Sequence, residues 1–568
     1  MQEYTVTLNN FSDKTDFCTQ MEESSGSGSI PSRACTCNLE RPLSRNSVFT
    51  LSDAEAIELL NDSRVKACQP HTAPIVELDW DQDQTGKWDK FPFQADDKNW
   101  GIKRLIDGQQ TAGWGNGGTN EITSTLNTTS SGKNVDVVIV DTHMNFDHPE
   151  FRENPDGTGN LRSNAFNWFQ YSAALGYSGN TAANYVYTGD TDPHGTHVAG
   201  TVAGNTQGWA RDANIYNVSF RGNAGGGNGI TGIYWTEVVF EYIRHFHNNK
   251  PINAATGRRN PTIVNNSWGS YTFDTNALLA DISEIKYRGV TTSLVGMTDA
   301  QKATELQSRR IPVLSSAYAG SVPYNSDRLT RMGKRQPAYD ADIEDAMGDG
   351  VIFVGSAGNS YFPIDRFGGN DYANMIVHLG TAYESSQGSS PGNTETSNGN
   401  SISVGAIDFY QTEYKTNFSN CEERVDVWAP GSYIMSGVYG SGSGYWNEKP
   451  DPRDSNFYVA AASGTSMSGP QVAGLIACAA EQYPNMRQTD ATQYVIEASK
   501  SAQINTSSEG MVDTPYTDLG DSNNRYAAYV YKRPQSGTVF PHDNHGNRVS
   551  TSNGVKYPRV NSVVTKTS

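Results

Sequence analysis

Between about residues 99 and 505 the chain runs through short apolar segments separated by glycine-rich turns. That is the pattern of strands buried on both faces of a parallel sheet. Val135-Asp136-Val137-Val138-Ile139-Val140 is one such segment and Val351-Ile352-Phe353-Val354 is another. The first 80 residues read differently. Tyr4 to Leu8 alternates apolar and polar positions like a strand with one buried face, Ser47 to Leu51 does so again, and Val65 to Cys68 predicts a third strand. Ser52-Asp53-Ala54-Glu55 is a capping box, with Ser52 as N-cap and Glu55 reaching back. Ala54, Ile57, Leu59 and Leu60 then predict the apolar face of a short helix. The Ser/Gly stretch from Ser24 to Ser29 predicts a loop. The expected organisation is therefore a small α+β module over 1–80 and a polar linker over 81–98. A large α/β domain over 99–505 follows, with a central, mostly parallel sheet and helices on both faces. An extension over 506–568 closes the chain; Tyr526 to Tyr531 is strand-like there, and no function is assigned to it.

Composition narrows the partners. The 568 residues carry 43 basic and 61 acidic side chains, a formal net charge of −18. Such a chain gains no long-range attraction to phosphate backbones or anionic lipid, so neither nucleic acid nor a membrane surface is an expected partner. No window approaches 18 consecutive apolar residues, so no membrane span is expected. Met1-Gln2-Glu3-Tyr4 lacks the basic and apolar regions of a secretory signal. The expected location is therefore inside a cell or packaged in a particle such as a virion, rather than classical secretion. Of the six cysteines, Cys18, Cys35, Cys37 and Cys68 fall early and Cys421 and Cys478 late. Cys35-Thr36-Cys37 is not the two-residue spacing of zinc or redox sites, and free thiols, disulfides and a metal site all stay open. Cys478 lies in an apolar run and reads as core.

Three segments carry candidate chemistry. The strand ending in Val140-Asp141-Thr142 places an acid at its C-terminal edge, where α/β proteins build their sites. In Asp192-Pro193-His194-Gly195-Thr196-His197-Val198-Ala199-Gly200, small residues after His194 allow a helix to pack closely, with Val198 and Val202 on one face. The three-residue spacing of His194 and His197, with no acid between them, is not that of a zinc helix. In Gly464-Thr465-Ser466-Met467-Ser468-Gly469-Pro470, Gly464 permits a tight approach and Ser466 opens an apolar helix, whose free N–H groups favour developing negative charge. Each alone is ordinary: a strand-end Asp, a helical His, an N-cap Ser. Together they supply what an activated serine needs. A hydroxyl is a poor nucleophile until a base takes its proton, and the base needs a third group to fix its tautomer. The chain order Asp, His, Ser is that of subtilisin, the handed-down example of this arrangement.

The wording around the three residues resembles the subtilisin-like (subtilase) family of serine proteases. VVIVDTH, HGTHVAG and GTSMSGPQVAG here are similar to the family's V-A-V-I-D-T-G, H-G-T-H-V-A-G and G-T-S-M-A-x-P-x-V-A-G. The resemblance implies a subtilisin-like three-layer domain and hydrolysis of peptide bonds through an acyl-enzyme. It assigns Asp141 to orient, His194 to act as general base and then acid, and Ser466 to attack. Val351 to Asn359 resembles V-x-V-A-A-A-G-N, which assigns Asn359 to the oxyanion hole beside the Ser466 backbone N–H. Ala357 and Gly358 fall in the same stretch and are substrate-contact candidates. Val264 to Gly269 resembles V-I-N-x-S-L-G, which implies that Ser267, Trp268 and Gly269 form a strand edge pairing with an extended peptide substrate. Trp268 replaces an aliphatic residue and is expected to narrow or cover a specificity pocket; a core tryptophan is the other reading. Asn265 begins a formal glycosylation sequon, but its expected burial argues against modification. The likeness extends over about 100 to 500, with Trp100 to Leu105 resembling the start of a mature domain.

There are departures. His143 stands where the family has Gly, beside Asp141, and Gln471 takes a common His position. Residues of about 285–340, including Arg309-Arg310 and Lys334-Arg335, are expected as an insertion near the cleft: a lid, a docking element or an autoprocessing loop. The 1–80 module resembles the propeptide that inhibits such enzymes and assists their folding, with cleavage expected between about 78 and 99. No cofactor is required for this chemistry. Many family members hold structural Ca²⁺, but no ligand cluster here is diagnostic and no metal-binding residue is assigned. The competing function is a non-catalytic structural or binding protein on the same scaffold. A lipase or esterase is disfavoured, because G-x-S-x-G and the order Ser, Asp, His are both absent around Ser466.

Overall fold

In the computed structural model the described residues are 2–23, 33–40, 46–70, 76–78, 100–107, 126–128, 130–176, 192–219, 238–271, 277–313, 328–329, 332–389, 391–396, 399–408, 414–501, 504 and 525–527. The chain divides into two compact units, the smaller built on Met1–Leu78 and the larger on Ser131–Tyr529. Ser24 to Ser29, the whole linker over 81–98 and most of the C-terminal extension lie outside the described residues.

In the smaller unit four antiparallel strands, Gln2–Leu8, Cys37–Glu40, Asn46–Leu51 and Val65–Pro70, lie in the order second, third, first, fourth. Helices Lys14–Glu23 and Asp53–Leu59 contribute Phe17, Met21, Ala56 and Leu59 to a core shared with Tyr4, Val6, Phe49 and Leu51. The capping box forms as its sequence predicts: Glu55 N donates to Ser52 Oγ and Ser52 N donates to Glu55 Oε2. The buried face of that helix differs from the expectation. Ala56 and Leu59 point inward, while Ile57 is 67% and Leu60 46% exposed. A helix of seven residues buries one stripe at three-residue spacing, and Ile57 and Leu60 sit one position past it.

The larger unit is built on a nine-stranded sheet. From one edge the order is Lys500–Ser501, Arg525–Tyr526, Val427–Pro430, Ile402–Ile407, Ile352–Ser356, Thr262–Asn266, Asp136–Asp141, Asn214–Ser219 and Ser163–Asn164. All pairings are parallel except that of the Lys500–Ser501 edge. The central strands are buried on both faces because a helix layer covers each. Val138, Val140, Val218, Val264 and Phe353 pack on Phe240, Ile243, Phe246, Ile343 and Met347 from helices Val238–Asn249 and Pro337–Asp349. The opposite face carries helices His194–Ala203 and Thr465–Gln482. This is the three-layer α/β architecture expected from the sequence.

The expected insertion lies within a larger excursion that has its own core. Strands Val290–Ser293, Ile282–Tyr287, Met375–His378 and Thr381–Glu384 form an antiparallel sheet beside the helix Asp299–Gln307. Leu279, Ile285, Leu306, Phe362 and Ile376 are buried together there. Lys302 is buried and donates to the carbonyls of Leu279, Ala280 and Ile282 at 2.8, 2.9 and 2.7 Å, so its three donors are satisfied. Of the basic pairs, Arg310 is engaged by Glu422 and Arg335 by Asp340. None of the six cysteines is in a disulfide, and Cys478 is buried.

Candidate active site

Asp141 ends its strand at the C-terminal edge of the sheet, fully buried. Its Oδ1 accepts from Thr142 N at 2.7 Å and lies 2.7 Å from His194 Nδ1. His194 is the first residue of its helix, and its backbone N–H donates to Asp192 Oδ1 at 3.0 Å. Gly195 makes this approach possible. A Cβ there would lie 2.2 Å from the Thr142 carbonyl oxygen, and Gly195 N donates to Thr142 Oγ1 at 2.7 Å. The loop after Asp141 is braced by Asn217, whose amide donates to the carbonyls of Ile139 and Thr142 and accepts from Met144 N. His143 keeps a negative φ, so the backbone there does not require the glycine of the family pattern. Its ring packs edge-on to Phe146.

One turn along the helix, His197 is buried, and its Nε2 lies 2.9 Å from the Ile434 carbonyl and 3.2 Å from that of Ala460. Burial, with His194 as a second and smaller cause, pushes its pKa down to about 3. This ring is a neutral tie to the three-stranded sheet of Ile434–Val438, Trp446–Asp451 and Asp454–Ala462. Arg453 reinforces the tie from between the last two strands, donating to Glu150 at 2.7 Å and Asp451 at 2.6 Å, all three buried. That sheet delivers the chain directly to Gly464 and Ser466.

Helix Thr465–Gln482 starts after Gly464, and Ser466 is its second residue, 9% exposed. Ser466 Oγ donates to the Ser267 carbonyl at 3.0 Å. Across from it, the strand Ile352–Ser356 runs into Ala357-Gly358-Asn359, with Ala357 buried and Asn359 exposed. Thr465 holds Asn359 by its side-chain oxygen, donating from N at 2.8 Å and from Oγ1 at 2.7 Å. A Cβ on Gly464 would stand 3.4 Å from Asn359 Nδ2 and 3.5 Å from Ser466 N, so these two donors border one small space. Asn420 supports the loop from behind, donating to the Ala357 carbonyl and accepting from Ser360 N and Phe362 N.

Ser267 and Gly269 follow the strand Thr262–Asn266. Gly269 makes an antiparallel bridge with Pro391, so part of this edge is already met by the chain. Trp268 is partly buried, parallel to Phe240 at 6.5 Å between ring centres and edge-on to Tyr339 at 6.2 Å. It thus roofs the aromatic layer under the sheet. Asn265 is fully buried, in keeping with the expectation that its sequon is inaccessible.

Thr142, Thr465, Asn217 and Asn420 were not singled out by the sequence. The two threonines adjoin motif residues, and Asn217 interrupts an apolar strand, which is the signal that a buried amide leaves. Among the described residues no group of three or more His, Cys, Asp or Glu side chains is placed to hold a metal ion, and no helix is long and apolar enough to cross a membrane.

The model of the subtilase family, Peptidase_S8, matches residues 132–521. The chain belongs to the subtilase family. The subtilisin-like proteinase Mp1 of Magnaporthiopsis poae is 25% identical over 397 residues, which are 69% of this chain and 65% of that protein. The subtilisin-like protease 2 of Arthroderma otae is 30% identical over 149 residues, 26% of this chain and 25% of that one. The chain thus spans less than two thirds of the length of either relative. A solved cold adapted subtilisin-like serine proteinase aligns with 76% of this chain and 98% of its own, at 18% identity and a TM-score of 0.41.

Proposed function

We propose that the protein is a serine endopeptidase that cleaves extended polypeptides through an acyl-enzyme. The observation that carries this reading is the 2.7 Å contact between His194 Nδ1 and the buried carboxylate of Asp141, at the sheet edge that also holds Ser466. An aspartate on Nδ1 fixes the proton there, leaves Nε2 as the base and stabilises the imidazolium that forms. In the proposed cycle the Ser466 hydroxyl turns from the Ser267 carbonyl toward His194, loses its proton and attacks the scissile carbonyl. The oxyanion is received by Ser466 N and Asn359 Nδ2. The imidazolium then protonates the leaving amine, and water repeats the sequence on the ester. Ser267, Trp268, Gly269, Ala357 and Gly358 are the proposed substrate contacts, with pairing to the peptide backbone giving affinity and Trp268 shaping the side-chain pocket.

The 1–80 module acts in this reading as an intramolecular inhibitor, released by self-cleavage between about 78 and 99. A fluorophosphonate probe tests both parts. The expected result is one adduct, mapped by mass spectrometry to Ser466 and absent in Ser466→Ala, together with a new amino terminus in that window that the variant does not form. An unlabelled chain, even after the first 98 residues are removed, overturns the reading in favour of a non-catalytic scaffold.

A further inference from the structure

The helix that carries the nucleophile contains Pro470. A proline has no N–H, so the carbonyl four residues earlier loses its helical partner. That carbonyl belongs to Ser466. It accepts instead from Ser267 Oγ, at 3.0 Å. The Ser267 hydroxyl is itself fixed, because Asn265 Nδ2 donates to its oxygen at 2.9 Å, and both Ser267 and Asn265 are buried. An acceptor site filled by Asn265 leaves the single hydroxyl proton to point at Ser466. The reciprocal bond, Ser466 Oγ to the Ser267 carbonyl, ties the same two residues a second time.

We propose that Ser267 is a positioning residue for the nucleophile, its hydroxyl replacing the helix hydrogen bond that Pro470 deletes and so fixing the peptide group of Ser466. This rests on the reading of Ser466 as the nucleophile. It gives Ser267 a role apart from pairing with substrate: the carbonyl it holds belongs to the residue whose N–H faces the oxyanion, and a tilt of that helix turn displaces hydroxyl and N–H together. Errors of about 1 Å at such a position cost about 100-fold in rate.

The proline makes a direct test. Pro470→Ala returns an N–H to the helix, aimed at the same carbonyl. The second-order rate of fluorophosphonate labelling and the thermal unfolding midpoint are measured on the full chain for wild type, Ser267→Ala, Pro470→Ala and the double variant. Ser267→Ala is expected to slow labelling about 10- to 100-fold. Pro470→Ala is expected to raise the rate in the Ser267→Ala background and not in wild type. Ser267→Cys, similar in size but a weak donor, is expected to fall between and serves in the same cycle if Ser267→Ala does not unfold cooperatively. Wild-type labelling rates in Ser267→Ala, or the same effect of Pro470→Ala in both backgrounds, would overturn the proposal. Rescue of the unfolding midpoint without rescue of the rate would also overturn it, since the bond would then serve stability alone. A wild-type chain that never labels fails the reading of Ser466 itself, and the midpoints still report whether the bond replaces the lost one.

Discussion

Thr465 grips Asn359 twice by the same oxygen, with its backbone N–H and its hydroxyl both donating to Asn359 Oδ1. Two donors on one atom settle which way the amide faces, so Nδ2 is turned toward the space bordered by Ser466 N. In the proposed reading this exposed asparagine is preorganised to receive the oxyanion.

Asn359→Ala is therefore expected to lower kcat on a peptide amide by about 100- to 1000-fold with little change in KM, as removal of one oxyanion donor does elsewhere. Its unfolding midpoint should fall somewhat as well, because the buried Thr465 loses the acceptor of its N–H and hydroxyl. Gly464→Ala should reproduce the kinetic loss by a different route, its methyl standing 3.4 Å from Asn359 Nδ2 in the space the oxyanion needs. Steady-state kinetics on both variants check this; an unchanged kcat in either would place the oxyanion somewhere else.

Asp141→Asn keeps the shape of the side chain and removes its charge. The amide would present a donor or a neutral acceptor to His194 Nδ1 and disturb the tautomer that leaves Nε2 as base. A fall in kcat of about 10,000-fold is expected, the size seen when the aspartate of such a triad is so changed. The check is the rate of phosphonylation at neutral pH, where loss of less than 10-fold would contradict the role given to Asp141.

Gly195→Ala should damage both fold and site. Its methyl would meet the Thr142 carbonyl oxygen at 2.2 Å, and backbone on both sides leaves only movement of the His194 helix or the Asp141 loop. A loss of about 1–3 kcal/mol in urea unfolding is expected, as for other overpacked sites, together with loss of labelling. Wild-type stability and labelling would show that the two segments yield without cost.

Acid should weaken the fold before most carboxylates titrate. Burial pushes His197 down to about 3 and His247 down to about 4, from an ordinary value of 6.5. Both rings are neutral in the folded protein, whereas the unfolded chain takes up their protons as pH falls through about 6.5. Their contribution is full above that pH and is lost as pH falls toward about 4. Urea midpoints across this window should decline, and His247→Gln should make the decline shallower by about one proton. A flat profile in the wild type would contradict neutral burial of these rings.

The candidate segments stood out in the sequence because the activated-serine chemistry proposed for them restricts the residue types, and close packing demands small neighbours such as Gly195, where a Cβ would meet the Thr142 carbonyl oxygen. The parallel sheet was legible for a related reason: strands covered on both faces are mostly apolar, and Val137 to Val140 is so between the buried Asp136 and Asp141. What stayed hidden depends on partners remote in sequence. Nothing local to Ser267 says that its hydroxyl meets Ser466, or local to Asn420 that it spans the Ala357 loop. The helix after Ser52 departs from its expected face at Ala54, Ile57 and Leu60, all exposed, because a short segment offers several apolar stripes and only the sheet it packs on selects one. His143 stands where the family pattern has Gly, and the turn keeps a negative φ there and accepts it.

Release of new amino termini from a denatured polypeptide shows whether Ser466 makes this chain a peptidase. Steady release by the wild-type protein is expected once its own chain is cut between about 78 and 99. A drop of more than about 1000-fold is expected in Ser466→Ala when both proteins lack the first 98 residues. Equal release by the two proteins, or none from a wild type freed of its first 98 residues, would contradict this.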